Sequence, residues 1–158
     1  MYILLIMNEL SERDRFERLA RTCISLNLRR TARAVSNYYD DIFTEACGLR
    51  ATQIPPLVVL YLVGPQSINE IAGKLEINRT TLSRNLRPLE EAGMLETAQG
   101  DDLRLRIVKL TDRGRELLLN VLPIWEKLQE RMVQGLGEGR FDDLLTELSD
   151  VAGLARET

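Results

Sequence analysis

Histidine is absent from this 158-residue chain and cysteine occurs only twice. Without imidazole there is no His-based catalytic triad, and two thiols alone cannot make a zinc site of the usual Cys and His type. Adjacent aspartates occur at Asp101-Asp102 and Asp142-Asp143. They fall in a loop between two strand-like runs and at the start of a terminal helix, where they read as solvated or capping groups. No acid, base and nucleophile converge in the pattern, so no enzyme, metal or cofactor is expected. Long apolar runs are missing as well. Met1 to Met7 is mostly apolar, but it is too short to span a bilayer and has no basic flank or cleavage site after it. A cytoplasmic protein without membrane contact is expected, with Met1 or Met7 as the start.

The charge balance is acidic, with a net charge of −3, which on its face disfavours a nucleic-acid partner. The charge is unevenly spread: residues 79 to 115 hold eight Lys and Arg against six Asp and Glu, while 116 to 158 hold four against nine. Phosphate binding depends on local charge, so an acidic tail disfavours a non-specific coat on DNA and leaves site-specific binding open. The 44% apolar content suits one ordinary domain, or a compact domain with dimerising helices.

The most informative stretch is Asn78 to Glu91, NRTTLSRNLRPLEE. At about 100° per residue Leu82, Leu86 and Leu89 form a narrow apolar stripe, and Thr80, Arg84 and Arg87 fall near the opposite side. Asn78 is a good N-cap, and Thr80 and Thr81 occupy the first turn, the part of a recognition helix that touches base edges. A solvated surface helix would show the same polarity. Upstream, Ser67-Ile-Asn-Glu70 is a capping box that starts a short helix, Ser67 to Leu75. Glu76-Ile77 leaves only a tight connection, so the pair reads as a helix-turn-helix. Downstream, Met94 to Ala98 and Arg104 to Leu110 are compatible with strands around a Gly-containing loop, Gln99 to Leu103. A hairpin after such a helix makes a winged helix.

Strand alternation puts Arg104, Arg106, Val108 and Leu110 on one face. Val108 and Leu110 can then enter the core while the arginines project from the tip. There an arginine can enter a narrow minor groove, with Asp102 orienting Arg104. Ordinary surface charges fit the spacing equally well.

Helical spacing also runs from about Arg13 to Ala46, with Ser11-x-x-Asp14 as a cap. One helix of roughly 34 residues would be about 50 Å long, more than a small domain can cover, which implies a partner. Within it Cys23 and Cys47 would lie about 36 Å apart, too far for a disulfide in one chain. Two reduced, packed thiols are the simpler reading beside an intersubunit bridge or a reactive thiol. Ile54-Pro55-Pro56 precedes an apolar run that reads as a helix starting at Pro55. Arg113 to Val133 and Phe141 to Leu154 supply two more helices, split by a Gly135 to Gly139 break, capped by Thr111 and kinked at Pro123. Leu118, Leu122, Trp125, Leu144 and Leu148 are expected to pack against a two-fold mate.

From Leu49 to Arg115 the chain resembles the MarR family of bacterial transcriptional regulators. The likeness is most specific in Asp102-x-Arg104-x-x-x-Val108-x-Leu110-Thr111 followed by Gly114-Arg115, the family's wing signature, and in Asn78 to Arg84, its recognition helix. The order of helices agrees over nearly the whole chain after residue 12. The resemblance implies a mainly α protein with a small β-hairpin wing: a winged helix-turn-helix (49–112) between dimerisation segments (1–48 and 113–158). It further implies a homodimeric repressor or activator on a pseudo-palindromic double-stranded operator, released by a small molecule or an oxidant. Asn78, Arg79, Thr80, Thr81, Ser83, Arg84, Arg87, Asp102, Arg104 and Arg106 would meet DNA. A small aromatic effector would sit near Tyr38, Tyr39, Leu57 and Trp125. Leu105, where many members carry a small polar residue, and Pro88, expected to kink the recognition helix or end it near Arg87, depart from the pattern. A winged helix used only for protein contacts is the alternative.

Overall fold

The computed structural model describes residues 11–99 and 106–157. Helix α1 (Glu12–Thr22) opens on the expected Ser11 and Asp14 box: Ser11 Oγ accepts from Asp14 N–H and the aspartate accepts from Ser11 N–H, both at 3.2 Å. The single long helix expected from Arg13 to Ala46 is in fact two. Cys23 adopts an extended conformation between α1 and α2 (Ile24–Cys47). The break is well compensated, because Asn27 Nδ2 donates to the carbonyls of Arg21 and Cys23 at 3.0 Å each. The break falls at Cys23 itself, so the stretch from Cys23 to Cys47 is still one uninterrupted helix and the premise that keeps the two thiols apart holds; both are free and half-buried, and the thiol of Cys47 donates to Phe43 O.

After a 3₁₀ turn (Ala51–Gln53), α3 (Ile54–Val63) begins one residue before Pro55, with both prolines in the first turn where an N–H has no intrahelical acceptor. The Val-rich run is helical, as expected. A two-residue strand β1 (Gln66–Ser67) leads into α4 (Ile68–Lys74), then α5 (Arg79–Glu91), β2 (Leu95–Gln99) and β3 (Arg106–Leu110). The sheet order is β1-β3-β2, antiparallel throughout, with Ser67 opposite Ile107 and Leu95 opposite Leu110. Strand β1 was not foreseen. Two residues are too few to show period 2, and only the neighbouring β3 makes them a strand.

Helix α6 (Asp112–Leu136) is capped by Thr111, whose Oγ1 accepts from Gly114 N–H and donates to Gly93 O. It runs unbroken through Pro123. The expected five-residue break after it narrows to Gly137, whose φ of 87° is open to a residue without Cβ, and α7 (Glu138–Arg156) follows at once.

The core lies where α3, α4, α5 and the sheet meet. Leu57, Ile71, Leu82, Leu89 and Val108 are fully buried there, each worth about 1.5–3 kcal/mol of burial. Phe43 of α2 and Val121 and Leu128 of α6 extend this core toward the outer helices. By contrast, α1 and α7 bury no residue within the chain.

Ser67 ties the layers together. It is nearly buried, pairs with β3, and its Oγ accepts from Glu70 N–H at 3.3 Å while Glu70 Oε2 accepts from Ser67 N–H at 2.7 Å. These bonds from the serine hydroxyl and backbone hold the Glu70 carboxyl below its ordinary 4.5. A depressed folded value means a contribution present above the unfolded value and lost as pH falls through the folded one. Ser67→Ala is expected to cost about 1 kcal/mol. It should also weaken the acid dependence of stability below about pH 4.5. Urea melts across that range check both.

Candidate nucleic-acid interface

Helix α5 is fixed from three sides. Asn78 Oδ1 accepts from Thr81 N–H at 2.8 Å, so the cap read from the sequence is the one used. Leu82, Leu86 and Leu89 face the core at 5% exposure or less. Asn85 Nδ2 donates to Thr52 O at 3.4 Å, tying the helix to the 3₁₀ turn. The remaining face is open: Asn78, Arg79, Thr80, Thr81, Ser83, Arg84 and Arg87 are all exposed.

Pro88 does not end the helix near Arg87, which corrects that expectation. Helix α5 continues to Glu91, because the only intrahelical bond proline removes is the one to the Arg84 carbonyl, and Arg84 is exposed. Water can satisfy that acceptor.

The tight connection between α4 and α5 carries Glu76 at a φ of 54°, a left-handed conformation that costs a non-glycine residue energy. Its carboxylate accepts from Arg156 at the end of α7, which holds the Glu76 carboxyl below its ordinary value.

Beside α5 stands the sheet. On β3 Val108 is buried, Leu110 half-buried and Arg106 exposed, the alternation the sequence implied. Arg106 does not simply project outward: Nη2 lies 3.8 Å from Glu90 Oε1 of α5. Arg87 Nε bonds Glu91 Oε1 at 2.8 Å, and Lys109 Nζ lies 2.9 Å from Glu96 Oε1. Hydrophobic and charge spacing along α5 marks the cations of this face but not the glutamates that pair with them. The i,i+4 spacing of Arg87 and Glu91 was the available signal. Asp102, Arg104 and Leu105 lie outside the described residues.

The residues named for an effector separate. Tyr39 and Trp125 line a cavity of about 610 Å³ between α2, α3 and α6, together with Phe43, Val58, Leu62 and Leu122. Tyr39 Oη accepts from Gln129 Nε2 at 3.0 Å, and burial raises the phenol above its ordinary pKa. Leu57 is fully buried in the core and is not part of that wall. Tyr38 sits outside it too, with the Arg131 guanidinium 5.5 Å from its ring centre. Among the described residues no group of three or more His, Cys, Asp or Glu could hold a metal ion, and no single helix is long and apolar enough to cross a membrane.

A short helix-turn-helix, a three-stranded wing sheet and long flanking helices define a winged-helix protein. A helix-turn-helix domain model matches residues 58–98. The HTH-type transcriptional regulator YwoH of Bacillus subtilis is 36% identical over 72 residues, 46% of this chain, and the match spans about half of that relative's length, 53%. The transcriptional regulator MosR of M. tuberculosis, solved in complex with DNA, is 30% identical with a TM-score of 0.71, covering 85% of this chain and 98% of its own. A MarR/EmrR family regulator from Acinetobacter sp. ADP1 shares the fold at 19% identity and a TM-score of 0.77, covering 89% and 99% of the two chains. The chain belongs to the MarR family of transcriptional regulators.

Proposed function

We propose that this chain is a DNA-binding transcriptional regulator that acts as a homodimeric repressor on a pseudo-palindromic operator. The observation that carries the reading is the open face of α5. Leucines lock the helix onto the core from behind, while Arg79, Thr80, Thr81, Ser83 and Arg84 stand exposed on the other side. Hydroxyls in the first turn suit base edges and arginines suit phosphates or guanine. The MosR complex with DNA supports the same use of the fold.

Dimerisation is supported by what the outer helices leave uncovered. Phe16 and Leu19 on α1 and Leu144, Leu145, Leu148 and Leu154 on α7 are 40% exposed or more. On this reading residues 1–48 and 113–158 interlock with a mate and 49–112 forms the reading module. Two modules about 34 Å apart then meet successive half-sites on one side of the duplex. A small aromatic effector in the cavity beside Tyr39 and Trp125, or an oxidant, acts by linkage: it favours a module spacing different from the one DNA favours.

Arg84→Ala tests the face directly. Expected is a loss of about ten- to a hundred-fold in affinity for duplex DNA and a salt slope lower by about 1 per subunit, read by anisotropy titrations at several ionic strengths. Unchanged affinity and slope would remove α5 as the DNA-facing helix.

A further inference from the structure

The cations of the reading module are divided along its length. Among the described residues Arg79 and Arg84, on the first half of α5, form no ion pair, whereas Arg87, Arg106 and Lys109 are each held by a glutamate. Two of these glutamates, Glu90 and Glu91, sit at the end of α5. With Arg87, Arg106, Ser83 and Thr97 they line a groove of about 440 Å³ between the helix and the wing sheet.

We propose that Glu90 and Glu91 are built-in competitors for DNA phosphate: they occupy Arg106 and Arg87 in the free protein, and a duplex must displace them before those arginines can serve it. The inference rests on the DNA reading given above. A carboxylate and a phosphate oxygen present the same acceptor chemistry to a guanidinium, so the two are interchangeable at each arginine. The four side chains are between 42% and 80% exposed, and exposed pairs are weak enough to exchange partners. Only a surface dense in phosphates close to both sides of the groove would exchange both pairs together. The glutamates thus lower affinity for a duplex that seats the far half of α5, by the cost of the pairs it must displace, and leave a duplex that engages only the first half unaffected.

The experiment measures binding of the full-length chain to duplex DNA from the region upstream of its own gene, and to a scrambled duplex, across a salt series. Glu91→Gln is expected to lower Kd about threefold or more. Its salt slope should steepen by roughly 0.9 for each phosphate newly engaged. The gain should be larger on the upstream duplex than on the scrambled one. It should vanish when Arg87 is replaced as well (R87A/E91Q), and Glu90→Gln should depend on Arg106 in the same way. A gain of equal size with and without the arginine would mark a general charge effect and overturn the proposal. Weaker or unchanged binding in Glu91→Gln would make the glutamates positioning groups instead and overturn it too. If Arg84→Ala weakens binding while both glutamine variants behave as wild type, this inference fails and the DNA reading stands. If the wild-type chain binds neither duplex, both fail.

Discussion

Gly114→Ala is expected to lose about 3 kcal/mol of folding stability, lowering Tm by on the order of 10 °C, and to take DNA binding with it at physiological temperature. A Cβ at this position would lie 2.2 Å from Met94 O and 2.7 Å from Leu110 Cδ1. The leucine tip can move, but the carbonyl cannot do so cheaply, because it accepts from Thr111 N–H at 3.2 Å in the same turn. Relief would require α6 to withdraw from the end of β2, and α6 is capped in that turn by the same Thr111, which also bonds Gly93 O. Close approach, and not unusual backbone torsion, is what demands glycine here. Scanning calorimetry of the variant, with Gly139→Ala as a control in open space, checks the effect. Equal Tm values for the two would mean that the helix can shift freely.

The double variant Leu145→Glu and Leu148→Glu is expected to be monomeric and to bind a two-half-site duplex about a hundred-fold more weakly or worse, with its helical content retained in the folded module. Helix α7 is 19 residues long and buries none of them within its own chain. Isolated helices of that length are marginal in water, and an exposed leucine surface of this size is unusual for a monomer. A charge placed on both residues would be desolvated in the proposed seam with no partner. Once the mate is lost, the second half-site must be bound from solution instead of from a tethered neighbour. Sedimentation velocity and anisotropy on the same sample separate the two effects. A dimer of unaltered affinity would show that α7 lies outside the seam.

Most of the reading module was legible because its signals are local. The Ser67 and Asn78 caps, the leucine stripe of α5 and the alternation on β3 each depend on residues within a turn or a strand of one another, and local chemistry decides them. Where the reading failed, the deciding partner lay elsewhere. The helix break at Cys23 is supported by the amide of Asn27, which donates to the Arg21 and Cys23 carbonyls from the next turn, a contact that hydrophobic spacing does not reveal. Strand β1 exists only because β3 runs beside it. Pro88 frees only the carbonyl of Arg84, a residue exposed to solvent, so propensity alone overstates its effect. The interface face itself was anticipated as a set of cations. The glutamates that hold two of them, Arg87 and Arg106, were not, and neither was the pair of Lys109 with Glu96; Arg106 with Glu90 and Lys109 with Glu96 span 16 and 13 residues and appear only once helix and sheet are packed. The residues named near the cavity came from family likeness, and two of the four, Tyr38 and Leu57, do not reach its wall.

Ser67 belongs to the sheet through its pairing with Ile107 and to α4 through its hydroxyl. A single residue is therefore a hinge pin shared by the two parts that, on the proposed reading, would meet DNA in different grooves. The stem of the wing cannot swing without pulling on the first turn of the helix pair, nor can that turn fray while the stem stays zipped. Opening of the one and of the other becomes a single cooperative event, so that in the proposed complex the two grooves would be gripped or released together.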